Sequence, residues 1–204
     1  MKAGASVNVQ PSRRGSPTDG ELVRQTLAGR RRAFDELVDR YQRRAASVAY
    51  RLLGNLHDAL EVCQDAFVRA YRNLDTLSDE ERFGPWLLRI VTNLSLNRRR
   101  ARKLRVTVAN DTASLDSPLL EERAAAAEDG ERPGAQLAAT ELAARIATGL
   151  AGLPERQRAA LVLFSIEELP QRDVAEILGC SVEAVKWHVF QARRKMRIRL
   201  KDYL

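Results

Sequence analysis

The chain has 204 residues, of which only two are cysteine and two are histidine. Cys63 and Cys180 lie far apart, and no CxxC pair or Cys/His cluster is present. That excludes a structural zinc site and a disulfide framework. Neither thiol has an activating neighbour in the sequence, so both read as small packed residues. No apolar run reaches the roughly eighteen residues needed to cross a bilayer, and the N-terminus lacks a continuous hydrophobic region. Nothing in the sequence therefore directs the chain out of the cytoplasm or into a membrane. A Gly-rich phosphate loop, a nucleophile elbow and an HExxH pattern are all missing, and the carboxylates gather on helix surfaces and in one connecting segment. An enzyme has no residues to stand on here, and no cofactor or metal is expected.

What remains is a helical, basic protein. Hydrophobic residues make up 45% of the chain, enough for ordinary cores, although aromatics supply only 5%. Alanine, leucine, arginine and glutamate dominate, which favours helices. A formal charge of +7 points to a polyanionic partner, since phosphate contacts release counterions.

Residues 1–19, rich in Gly, Ser and Pro, read as a disordered tail. Thr18 and Glu21 then form a capping-box pattern before "ELVRQTLAG". In the long segment that follows, Phe34, Leu37, Val38, Tyr41, Ala45, Val48, Ala49 and Leu52 recur at helical spacing, and Gly54 ends it. A third helix runs from about His57 to Leu74, with Leu60, Cys63, Phe67, Ala70 and Leu74 on its apolar side. A fourth begins at "FGPWLLRIVTNLSLNRRRARKLR", with Pro85 in its first turn. Residues 20–105 thus make one helical domain. Residues 106–139 are acidic, alanine-rich and broken by Pro and Gly, so they read as a flexible linker, with transient helix at "LLEERAAAAE". A second small helical domain, 140–204, follows, with Pro154 at a helix start. The fold class is all-α, two helical domains on a tether.

The segment "DVAEILGCSVEAVKWHVFQARRK" carries the sharpest pattern. A short apolar helix meets a glycine turn at Gly179, and Ser181 caps a longer basic helix. With Val182, Val185, Val189, Ala192 and Met196 inward, the outer face carries Glu183, Ala184, Lys186, Trp187, Phe190, Gln191 and Arg194. This is a helix-turn-helix pattern whose second helix suits a major groove. A glycine-turned helix pair without DNA remains the other reading. His188 reads as a polar or phosphate-facing residue rather than a metal ligand. The basic cluster "NRRRARKLR" fits phosphate contact through forked guanidinium donors, and equally a solvated helix C-terminus. Asp58, Glu61, Gln64 and Asp65 form an acidic strip beside Arg69 and Arg72. DNA avoids such a strip, a basic protein surface does not, and an ordinary charged helix face is the alternative.

The order "AFDELVDRY", "LLGNLHDALEVCQDAFVRAYRNL", "FGPWLLRIVTNLSLNRRR", "LPERQRAALVLF" and "DVAEILGCSVEAVKWHVFQARRKM" closely resembles the extracytoplasmic-function (ECF) group of sigma-70 family RNA polymerase sigma factors. The resemblance implies a region-two domain over 20–105 and a region-four domain over 140–204. It implies that Asp58, Glu61, Gln64, Asp65 and Arg69 dock on the clamp helices of the polymerase largest subunit, with region four on the flap. It implies recognition and melting of the minus-ten element by the loop from Leu77 to Phe83 and the helix from Trp86 to Arg100. Asn93, Asn97, Arg98 and Arg99 are the expected DNA contacts there, with Trp86 a core anchor. Ser181, Glu183, Ala184, Lys186, Trp187, His188, Phe190 and Arg194 are the expected minus-thirty-five face. The linker would thread the polymerase channels, and an anti-sigma factor is the expected regulatory partner. Glu183, Ala184, Trp187 and His188 depart from the residue types common in relatives, so the promoter read is not inferred. "AGRRRAF" also departs from the acidic residue common after that glycine. Two other functions fit parts of the chain: a helix-turn-helix repressor or activator acting alone, and a helical adaptor for protein partners.

Overall fold

The computed structural model describes residues 16–110 and 133–201. The first helix, α1 (Asp19–Leu27), starts at the expected capping box: the Glu21 amide donates to Thr18 Oγ1 at 3.2 Å and the Thr18 amide to Glu21 Oε2 at 3.0 Å. Asp19 is therefore helical rather than part of the tail, and residues 1–15 lie outside the described residues. Helix α2 (Arg31–Leu53) ends on Gly54, whose φ of 75° lets its amide reach the Tyr50 carbonyl. Asn55 caps α3 (Leu56–Arg72) by accepting from the Asp58 amide. Two 3₁₀ turns, Leu74–Thr76 and Glu80–Arg82, lead into α4 (Phe83–Asn110).

The core of this first domain is built from stripes at helical spacing. Leu37, Val48 and Leu52 of α2 meet Val62 of α3 and Leu87, Leu88 and Val91 of α4, each 2% exposed or less. Ala45, Ala49, Ala59, Ala66 and Ala70 are fully buried, so the helices approach closely where no larger side chain intervenes. The few aromatics are concentrated at one end. Phe83 sits edge-on to Phe34 (6.4 Å) and Tyr41 (5.5 Å), and Phe34 edge-on to Phe67 (6.5 Å). Gly84 is packed so tightly there that a Cβ would lie 2.8 Å from Tyr41 Oη.

The second domain comprises α5 (Pro133–Ala151), α6 (Glu155–Leu161), α7 (Gln171–Leu178) and α8 (Val182–Arg199). Pro154 precedes α6 as expected, and a π-helical turn, Val162–Ile166, follows it. Its core gathers Leu150, Leu153, Ala159, Ala160, Val162, Leu163, Val174, Val185, Val189, Ala192 and Met196. The expected linker is helical at both ends, because α4 continues to Asn110 and α5 begins at Pro133. The expected transient helix at residues 119–128 lies outside the described residues.

The two helical domains pack against each other, α2 against α5 and α4 against α7. Their junction is polar. Arg158, 1% exposed, donates to the Leu52 carbonyl at the end of α2 (2.8 Å) and to the Ala151 and Leu153 carbonyls behind α5. Arg99 donates to the same Leu52 (3.2 Å) and Ala151 (3.4 Å) carbonyls. Two guanidiniums thus supply donors to helix C-termini, where carbonyls lack intrahelical partners and a cation is favoured.

Candidate nucleic-acid and protein interfaces

Along α4, Arg89, Asn93, Asn97 and Arg100 recur at helical spacing on one exposed stripe. Asn93 and Asn97 line a concavity of about 330 Å³ with Arg69, Asn73, Thr76 and Trp86. The chain around it is locally fixed: Asn73 Nδ2 donates to the Arg69 carbonyl (2.8 Å) and Thr76 Oγ1 to the Asn73 carbonyl (2.7 Å). Trp86, half-buried and 6.0 Å from the Phe83 ring, packs on the core and still lines the concavity. An indole face with amide and guanidinium donors around it is chemistry that suits an unstacked base.

The four residues expected on DNA separate here. Asn93 and Asn97 line the concavity. Arg98 turns to α3, where its Nε and Nη2 reach Asp58 Oδ1 (2.8 and 2.6 Å) and Nη2 also pairs with Glu61. Arg99 turns to the domain junction, and burial lowers its pKa against the pull of Glu155. Arg69, expected with the docking residues, is exposed and also lines the concavity.

The acidic strip on α3 is partly neutralised from within. Asp58 and Glu61 face Arg98, while Gln64 and Asp65 are exposed. His57, Asp58 and Glu61 bring three ligand-type atoms within 4.8 Å of one another, but Arg98 already answers both carboxylates. Leu60 does not lie on the inner side as its spacing suggested. It is 47% exposed, and with Leu56, Val68 and Tyr71 it forms an apolar stripe along the outside of α3. Helical spacing marks a stripe without saying which of two stripes faces the core, and the buried one is Ala59, Val62, Cys63, Ala66, Phe67 and Ala70. The strip is thus an apolar ridge flanked by carboxylates.

In the second domain Gly179 adopts φ 58°, and the Cys180 amide returns to the Ala175 carbonyl at 3.0 Å, closing the turn between α7 and α8. Ser181 accepts from the Ala184 amide (3.1 Å), so its hydroxyl serves the helix cap. Glu183, Lys186, Trp187, Phe190 and Arg194 are exposed, whereas Ala184 and His188 are half-buried. Burial lowers the His188 pKa, with Arg156 adding to the effect, and its Nδ1 is enclosed without a hydrogen-bond partner. Both effects favour the neutral imidazole, whose ring N–H remains a hydrogen-bond donor. Trp187 and Phe190 present large apolar surfaces outward, at 53% and 63% exposure.

Comparison with known proteins identifies the two domains. Residues 37–105 match the family model "Sigma-70 region 2" and residues 143–196 match "Sigma-70, region 4". The ECF RNA polymerase sigma factor SigW of Bacillus subtilis is 33% identical over 88% of this chain and 95% of its own. The RNA polymerase sigma-H factor of Pseudomonas aeruginosa is 34% identical over 86% of this chain and 90% of its own. Among solved structures, CnrH in complex with the cytosolic domain of CnrY superposes with a TM-score of 0.64 at 30% identity, covering 90% of this chain and 97% of that one. With both regions matched in order on two helical domains, the chain belongs to the ECF group of sigma-70 family RNA polymerase sigma factors.

Proposed function

We propose that this chain binds core RNA polymerase and brings two DNA-reading surfaces to promoter spacing, without enzymatic chemistry of its own. The observation that carries this is the pairing on one chain of the concavity of Asn93, Asn97, Arg69 and Trp86 with the exposed face of α8. The concavity receives a base of the displaced minus-ten strand. Unstacking that base costs a few kcal/mol, which stacking and hydrogen bonding in the pocket offset. Lys186 and Arg194 meet the phosphates or base edges of the upstream element, with Trp187 and Phe190 against thymine methyls. The ridge of Leu56, Leu60, Val68 and Tyr71, with Gln64 and Asp65 beside it, docks on the clamp helices. An anti-sigma protein is the regulatory partner, a reading supported by the solved complex of the sigma factor RpoE with the anti-sigma factor NepR from Bartonella quintana, a protein of similar fold.

A repressor acting alone explains α8 but leaves the concavity and the α3 ridge without a use. Run-off transcription from a cognate promoter, by core polymerase with and without this protein, tests the assignment. The expected result is a transcript that requires the added protein, and a folded sample with no effect overturns it.

A further inference from the structure

Helix α1 lies before the stretch matched by the region-two model and takes no part in the surfaces proposed above. It is nonetheless firmly fixed. Leu22 and Val23 are buried in the core, and Asp19 holds both Arg40 and Tyr41 of α2. From that anchorage α1 reaches the loop between α3 and α4. Arg24 Nη1 donates to Glu80 Oε2 at 2.6 Å, and Thr18 Oγ1 donates to Glu81 Oε1 at 3.0 Å. The Thr18 hydroxyl is thus used twice, since it also accepts from the Glu21 amide. Gly20 completes the fit, because a Cβ there would collide with the Glu81 carboxylate.

The loop held in this way is the one expected to recognise the minus-ten element. It is strung between two walls of the base concavity, Thr76 just before it and Trp86 just after. Its run Ser78-Asp79-Glu80-Glu81 is acidic, the wrong charge beside a strand of phosphates. All three carboxylates of that run are occupied within the protein. Asp79 accepts from the Glu81 amide at 3.2 Å and caps the 3₁₀ turn, while the two glutamates face α1. The Arg24 and Glu80 side chains remain 55% and 32% exposed, and pairs of that kind add little to stability. What this pair supplies is the placement of a charge.

Resting on the minus-ten assignment, we infer that α1 is a positioning element for strand capture: Thr18, Gly20 and Arg24 draw Glu80 and Glu81 onto α1, which sets the loop beside the base concavity and keeps two negative charges off the strand. A loop that reads a ligand needs a rigid element to hold it, and here that element is α1. Release of either glutamate turns a carboxylate toward the phosphates, where one like charge at close range weakens binding about fivefold. The ridge on α3 and the outer face of α8 lie on other elements, so polymerase docking and upstream binding are spared.

The test uses holoenzyme assembled from core polymerase and the full chain. Arg24→Ala frees Glu80, and Gly20→Ala evicts Glu81 while keeping a good helix former in α1. Each has a rescue that removes the freed charge, Glu80→Gln added to Arg24→Ala and Glu81→Gln added to Gly20→Ala. Anisotropy of a fluorescent single strand carrying the minus-ten region of the cognate promoter reads capture. Polymerase titration, binding to the upstream duplex and thermal unfolding are read beside it. Both single variants are expected to unfold like wild type and bind polymerase and upstream duplex like wild type, yet to hold the strand about fivefold more weakly. Each rescue is expected to return strand binding to within twofold of wild type. Folded single variants that hold the strand within twofold of wild type overturn the inference, as does a loss that the glutamine leaves in place, which is what a merely structural role predicts. Either pair decides if the other fails to fold. A wild-type holoenzyme that captures no strand removes the minus-ten assignment and the role of α1 with it, whereas unchanged variants on a working wild type remove the role of α1 alone.

Discussion

Replacing Leu60 and Val68 together by alanine removes the middle of the apolar ridge on α3 with little effect on the core. These side chains are 47% and 49% exposed, so about half of each remains to be covered by a partner. Complete burial of such a side chain is worth about 1.5–3 kcal/mol, leaving roughly 0.7–1.5 kcal/mol for each on docking. Alanine keeps one methyl of that, so the pair of substitutions costs about 1–2 kcal/mol of binding, a ~5- to 30-fold weaker association. Folded stability moves far less, because alanine at half-exposed helix positions recovers propensity lost by valine and substitutions of this kind shift stability by about 0.5 kcal/mol. The assay is titration of labelled protein with core polymerase, alongside thermal unfolding of the free variant. A variant that unfolds like wild type and still binds polymerase within twofold would refute the assignment of this ridge.

Gly84→Ala places a methyl against the ring of Tyr41, itself held by Asp19 and by Phe83. Overpacking of about 1–3 kcal/mol outweighs the ~1 kcal/mol gain in helix propensity, so the melting temperature falls; an unchanged or higher value contradicts the packing. Lys186→Ala weakens binding of the holoenzyme to the upstream element about equally across sequences and lowers the salt slope by about one, while binding to polymerase persists. Equal loss of both activities contradicts that division. Burial, followed by the hydrogen bond to Asp19, raises the Tyr41 pKa from 10.0 to about 12. The unfolded chain thus loses its phenolic proton first, and stability falls between about pH 10 and 12. Tyr41→Phe flattens that alkaline limb in unfolding experiments, and an unaltered limb would place the titration elsewhere.

Local chemistry was the legible part of this chain. Thr18 with Glu21, Gly54, Gly179 and Ser181 are residues whose own backbone or side chain does the work, so their effect does not depend on distant segments. The inward positions of α8 were equally readable, because one stripe is apolar and the rest is charged. On α3 two stripes are apolar, and only packing against α2 and α4 decides that Leu60 stays outside. The arginines after Asn97 look alike in sequence, yet Arg98 folds back on Asp58, Arg99 reaches Leu52, and Arg100 faces Glu155. Which of these occurs depends on partners some 40–55 residues away. Arg158 gave no signal at all, since its burial depends on carbonyls of Leu52, Ala151 and Leu153 that converge only after both domains meet.

The chain carries two tryptophans, one per domain. Trp86 is sheltered beside the proposed base pocket, and Trp187 stands out on α8. Their emission should differ in colour, bluer for the first and redder for the second, and a quencher in solution reaches the second more readily. The molecule thus holds its own optical gauge, able to register strand capture at one end and duplex contact at the other without an added dye.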